Sequence, residues 1–208
     1  KYFTDRHVTV KEHQHGIVHL RHDAYNFPSS LYETYSSYLP AHFLVFDMFW
    51  TSLIHIPAKC SVIGWYQYQG VAVPEKGLTS VTSKCTFIGT GLNTEDNITV
   101  FRKIRSDFNN VLVLFRPHPM EANLASKLLT NDEIDNSMLF ETLNTSQYII
   151  GWFSTVLFEA QRYGCKVFAI ENDYLTSSGL DQFFFTGSVD DYKKLSDYFD
   201  DEVLREDK

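Results

Sequence analysis

Val111-Leu112-Val113-Leu114-Phe115-Arg116-Pro117-His118-Pro119 is the stretch on which the fold turns. Five consecutive apolar residues, bounded by a proline-rich turn, have the composition of a strand buried on both faces of a parallel sheet. The same pattern recurs around it. Lys84–Gly89 reads as a strand leading into Gly89-Thr90-Gly91, and Tyr148–Gly151 and Lys166–Ile170 read as two more. Between them lie helical stretches. Ile98, Phe101, Ile104 and Phe108 mark one face of a helix from about Glu95 to Phe108, and further helices are predicted near Met120–Leu129, Met138–Leu143 and Thr155–Tyr163. Strands alternating with such helices predict an α/β fold, a Rossmann-like parallel sheet with helices on both faces. Ligands of such sheets bind at the carboxyl ends of the strands.

Working toward the N-terminus, the pattern weakens. Gln67–Ser80 contains Gly70, Pro74 and Gly77 with little apolar periodicity, and predicts a linker at 71–81 between a segment 1–70 and a domain 82–208. In the first segment, Val8–Glu12, Phe43–Phe46 and Ser61–Ile63 have strand character, with a helix near Phe49–Ile54 and an irregular connection over Tyr25–Pro40. At the other end, Asp190–Phe199 reads as an acidic amphipathic helix.

The formal charge of −8 argues against a large nucleic-acid footprint, which needs a basic face. Cys60, Cys85 and Cys165 are odd in number and widely spaced, the pattern of reduced thiols rather than a disulfide framework or zinc site. With no signal-like N-terminus and no apolar run of membrane length, the expected location is cytoplasmic.

Four features carry chemistry. Arg116 and His118 each precede a proline, so both are biased toward extended backbone in a stiff turn at a strand end. Arg116 offers a forked donor for phosphate, and His118 a donor or proton shuttle near neutral pH; the bland alternative is a rigid turn with an exposed histidine. Ser154 and Thr155 follow the strand Tyr148–Gly151 at a helix start, where they cap the helix or help bind a phosphate. Glu159, one turn later, is placed to meet a ribose hydroxyl or to be an ordinary solvated carboxylate. Gly89 and Gly91 form only a G-x-G, a turn that passes close to a ligand or a plain turn, without the third glycine of a dinucleotide fingerprint. Near the N-terminus, His13, His15, His19 and His22 invite a metal reading, but no carboxylate or cysteine completes a ligand pattern. His15-Gly16 reads instead as a loop facing a cleft, with His15 as a general base, or as surface histidines.

Taken together, Gln14-His15-Gly16, Arg116-Pro117-His118-Pro119 and Ser154-Thr155-Val156-Leu157-Phe158-Glu159-Ala160 resemble bacterial GT-B glycosyltransferases of surface-polysaccharide synthesis. The similarity is to the group that includes capsule polymerases, CDP-glycerol glycerophosphotransferases and sialyltransferases. It implies that 82–208 is the donor-binding C-terminal half of a GT-B fold and that 1–70 is a partial N-terminal α/β segment on the acceptor side. It also implies inverting, metal-independent transfer from a CMP-, CDP- or UDP-linked donor to a glycan acceptor, without a cofactor. By motif, Arg116, His118, Ser154 and Thr155 would meet the donor phosphates, Glu159 the ribose, and His15 the acceptor hydroxyl. Gln14 stands where the glycerophosphotransferases have Trp, and the paired-acid-glycine motif of many sialyltransferases is missing; both leave the donor open. The short N-terminal portion predicts a fragment or a shortened homologue. Peripheral association with a membrane-bound synthesis complex and oligomer formation stay open. So do two alternatives, a nucleotide-sugar epimerase of the same fold and an inactive nucleotide-sugar-binding module.

Overall fold

The computed structural model describes residues 2–64, 83–108 and 111–188. The chain divides into two compact units, Lys1–Ala72 and Val73–Lys208. The predicted linker at 71–81 and the predicted helix Asp190–Phe199 both lie outside the described residues.

The first unit holds a three-stranded parallel sheet in the order β1 (Lys11–His13), β2 (His42–Val45), β3 (Lys59–Val62). Strand β1 starts three residues later than the predicted Val8–Glu12, because Val8 is exposed and the register with β2 begins at Lys11. The connection Tyr25–Pro40 is not wholly irregular. It contains 3-10 turns and the four-residue helix α1 (Tyr32–Tyr35). Helix α2 (Met48–Thr51) is one turn, capped by Asp47, whose carboxylate accepts from the Phe49 N–H at 2.9 Å. Phe43, Val45 and Trp50 are fully buried and form the centre of this unit's core.

The second unit is a Rossmann-like α/β sheet of five parallel strands in the order β5-β4-β6-β7-β8. Its strands are β4 (Lys84–Ile88), β5 (Leu112–Arg116), β6 (Tyr148–Gly151), β7 (Lys166–Ile170) and β8 (Phe185–Gly187). The intervening helices are α3 (Thr94–Asp107), α4 (Ala122–Leu128), α5 (Leu139–Thr145), α6 (Thr155–Arg162) and α7 (Asp173–Ser178). The predicted apolar face of α3 is buried throughout. Ile98, Phe101, Ile104 and Phe108 pack with Phe87, Val113, Phe115 and Ile150 from one face of the sheet. The alternation of side chains along a strand sends Thr86, Ile88, Ile149 and Val167 to the other face, and all four are buried.

This strand order creates a switch point. The chain leaves β4 toward β5 on one side and leaves β6 toward β7 on the other, while β4 and β6 are hydrogen-bonded neighbours. The loops above their carboxyl ends therefore diverge and open a crevice, the usual ligand position in open α/β sheets.

Candidate functional site

A cavity of about 390 Å³ occupies that crevice. Thr90, Leu92 and Asn93 reach it from the loop after β4, and Asp96 and Asn97 from the first turns of α3. Trp152 and Phe153 come from the loop after β6, and Asn172 and Tyr174 from the end of β7 and the start of α7. Its size falls in the range of small-ligand sites.

The walls are aromatic and the polar groups neutral or acidic. The Phe153 and Tyr174 rings lie 5.8 Å apart at 38°. Asn97, 3% exposed, uses both amide hydrogens on Thr90 Oγ1 (3.2 Å) and Leu92 O (2.9 Å), which leaves its Oδ1 as the acceptor for a ligand. The Trp152 indole packs on the sheet core, with its Nε1 buried and without a hydrogen-bond partner. Asn172 is structural. It caps α7 by accepting from the Tyr174 and Leu175 N–H groups and holds the Trp152 and Ile170 carbonyls at 2.9 Å.

Of the residues singled out in the sequence, Gly91, His118 and Ser154 adjoin the loops that line this cavity without lining it themselves. The His118 imidazole lies against Gly91: a Cβ added there would sit 2.7 Å from His118 Nδ1, and Gly91 has φ +79. The Met120 N–H donates to His118 Nδ1 at 3.2 Å, so a neutral His118 carries its proton on Nε2. Ser154 caps α6, its Oγ accepting from the Val156 N–H at 3.2 Å, while the Thr155 amide opens the helix without an intrahelical partner.

Two of the sequence-named groups are held elsewhere. Half-buried Arg116 donates through Nη1 to Ser137 O (2.7 Å) and Thr142 Oγ1 (2.8 Å); burial pulls its pKa down and Asp135 opposes that pull. Glu159 is not a solvated carboxylate. It is 5% exposed and does not line the cavity, and burial pushes its carboxyl up from 4.5 to about 7.

That shift has a consequence for stability. The folded chain keeps Glu159 protonated over a range where the unfolded chain has ionised it, so this group's contribution falls as pH rises from 4.5 to about 7 and is level above. The loss is at most about 3 kcal/mol at 1.36 kcal/mol per unit. Glu159→Gln is therefore expected to gain stability over the unaltered chain at pH 8 but not at pH 4.5. Urea denaturation at the two pH values checks it, and an equal difference at both would refute the burial effect.

In the first unit, His15 is exposed two residues beyond β1, with Nδ1 3.4 Å from the His13 carbonyl oxygen. Gln14 is structural. At 1% exposure, its Oε1 accepts from the Phe46 N–H (3.1 Å) and its Nε2 donates to Gly16 O (3.0 Å), clamping the His15-Gly16 turn to the end of β2. Among the described residues, no group of three His, Cys, Asp or Glu is placed to hold a metal ion, and no helix is long and apolar enough to cross a membrane.

Sequence motifs point to the loops after β4, β5 and β6 but not to Trp152, Asn97 or the α7 wall. Asn172-Asp173, one residue after an apolar strand, is a helix-start signal that points to the last of these.

No protein-family model matches the chain, and no curated protein does. Among solved structures, the chain is similar to Thermosulfurimonas dismutans KpsC, a β-Kdo 2,7 transferase, at 13% identity and a TM-score of 0.40, over 79% of this chain and 76% of that one. A likeness at that level is one of distant chain path, and the functional reading rests on the site.

Proposed function

We propose that this chain is a glycosyltransferase, or polyol-phosphate transferase, that moves a group from a nucleotide-activated donor to a bacterial surface or capsular polysaccharide. The observation that carries the donor assignment is the aromatic cavity at the β4–β6 switch point, with no Lys or Arg among its described lining residues, bordered by His118 and the start of α6. An uncharged ring suits such a cavity: a base stacks against Trp152 and Tyr174, and the Asp96 carboxylate and Asn97 Oδ1 accept from hydroxyls. Phosphates then fall outside it, toward the His118 Nε2–H and the Thr155 amide, where the α6 dipole favours negative charge. Arg116 shapes the end of β5 through Ser137 and Thr142 in this reading, and Glu159 belongs to the core. Inverting transfer without a metal, with His15 of the first unit as base toward the acceptor hydroxyl, completes it.

Thermal-shift and calorimetric titration with CMP, CDP, UDP, GDP and their sugar conjugates tests the reading. At least one is expected to bind, and His118→Ala to weaken it tenfold or more with the far-UV spectrum unchanged. Equal affinity in that variant would remove His118 from the site. His15→Ala is expected to lower transfer while leaving nucleotide affinity intact. Nucleotide binding with no donor consumed alongside any acceptor would favour an inactive binding module instead.

A further inference from the structure

Glu121 follows the Arg116-Pro117-His118-Pro119 turn and has the look of an ordinary acid at a helix start. Its environment is different. It is 2% exposed, and both carboxylate oxygens act as acceptors toward the two loops beside the cavity. Oε1 takes the backbone N–H of His118 at 2.8 Å, and Oε2 takes the hydroxyl of Thr94, the first residue of α3, at 3.0 Å. The space for this carboxylate exists because residue 89 has no side chain: a Cβ there would stand 1.7 Å from Oε1. Thr94 is itself 8% exposed, so this contact is shielded from water.

We infer that Glu121 is a positioning residue for the site, joining the cavity-forming β4–α3 loop to the turn that presents His118. The geometry leaves it no contact with a ligand of its own, so it acts through His118 and Thr94. A buried acceptor of two hydrogen bonds holds its donors more tightly than an exposed one, since water does not compete for them. The His118 backbone is thereby fixed from below while its ring is fixed by the Met120 amide and the face of Gly91. The role as stated rests on reading the cavity as the donor site.

The test uses Glu121→Met and Thr94→Val in the whole chain. The first keeps the length of the side chain and removes both acceptors, and the second removes only the hydroxyl donor. In ligand-free protein, the His118 backbone amide resonance in a proton–nitrogen correlation spectrum reports the contact directly. Both variants are expected to shift it, Glu121→Met the more. Titration with CDP and UDP, at a temperature where circular dichroism shows every variant folded, is expected to show at least a tenfold loss of affinity in Glu121→Met and about threefold in Thr94→Val. The sign is informative: if the acid acted only through its charge, removing it would raise the affinity for an anionic nucleotide. An unmoved His118 amide, or an affinity that is unchanged or higher, overturns the positioning role. Failure of the unaltered chain to bind either nucleotide would overturn the donor-site reading instead, and the His118 amide would still decide whether Glu121 fixes that turn. Should Glu121→Met not fold, Thr94→Val carries the same decision.

Discussion

Gly89→Ala is expected to lower the stability of the chain by about 3–5 kcal/mol, summing overpacking of a filled site and the weakening of buried hydrogen bonds to a carboxylate. A Cβ at residue 89 would lie 1.7 Å from Glu121 Oε1, 2.8 Å from its Cδ and 3.1 Å from Phe115 Cζ. None of these neighbours yields cheaply. Phe115 is fully buried in the sheet core, and Glu121 cannot swing aside without leaving the His118 N–H and the Thr94 hydroxyl. The backbone at residue 89 is also committed, its N–H donating to Arg116 O at 2.9 Å at the top of the β4–β5 ladder. Gly16→Ala is the internal comparison. Nothing lies within 4 Å of its added Cβ, and a change within about 0.5 kcal/mol is expected. Urea denaturation of both variants is the measurement. A cost under about 1 kcal/mol for Gly89→Ala would mean that the Glu121 carboxylate does not occupy this position.

The second large effect concerns the far side of the same strands. Asp135 and Lys84 form an ion pair at 3.0 Å with side chains only 2% and 13% exposed. Asp135 Oδ2 also accepts from Thr142 Oγ1 at 2.9 Å, and Oδ1 from the Ser137 N–H at 3.0 Å. The Thr142 hydroxyl and Ser137 carbonyl in turn receive Arg116 Nη1, so one buried carboxylate organises the end of β5 as well as the start of β4. Removing one partner of a buried pair strands the other, at about 3–5 kcal/mol. Lys84 retains a hydrogen bond to Thr145 Oγ1 at 3.1 Å, which places Asp135→Ala near the lower end, about 3 kcal/mol. A loss under about 1 kcal/mol in urea would refute the pair's role. Its pH dependence runs opposite to that of Glu159. Burial alone would raise the Asp135 carboxyl, but hydrogen bonds from Lys84 and Ser137 outweigh it and hold the group below its ordinary 3.8. The stabilisation is therefore complete above that value and is lost as pH falls through the folded pKa, so Asp135→Ala should flatten the acid limb of the stability curve.

Much of the fold was legible without coordinates, and particular elements show why. Tyr148–Gly151 and Lys166–Ile170 were read with the observed bounds, because short apolar runs bounded by polar junctions leave few alternatives. Helix α3 was read to within a residue at each end from the spacing of Ile98, Phe101 and Ile104. Helix α7 and strand β8 are not visible in the sequence pattern. Six and three residues are too few for either periodicity to declare itself, and both owe their form to the neighbours they pack on.

The stiff turn after β5, with Arg116 and His118 at a strand end beside the glycine loop, was determined by the sequence itself. Proline geometry and the run of apolar residues act over fewer than ten positions, and such local constraints are visible along a chain. What each side chain does there was decided only by tertiary structure. Arg116 turns to Ser137 and Thr142, residues 21 and 26 positions away. Glu121 and Glu159, two helix acids of unremarkable context, become buried at 2% and 5% exposure. The crevice itself depends on β6 pairing beside β4 rather than β5, a choice among strands of nearly equal apolar character. Burial and strand order are properties of the packed whole, so the loops of the site were written in the sequence and the cavity between them was not.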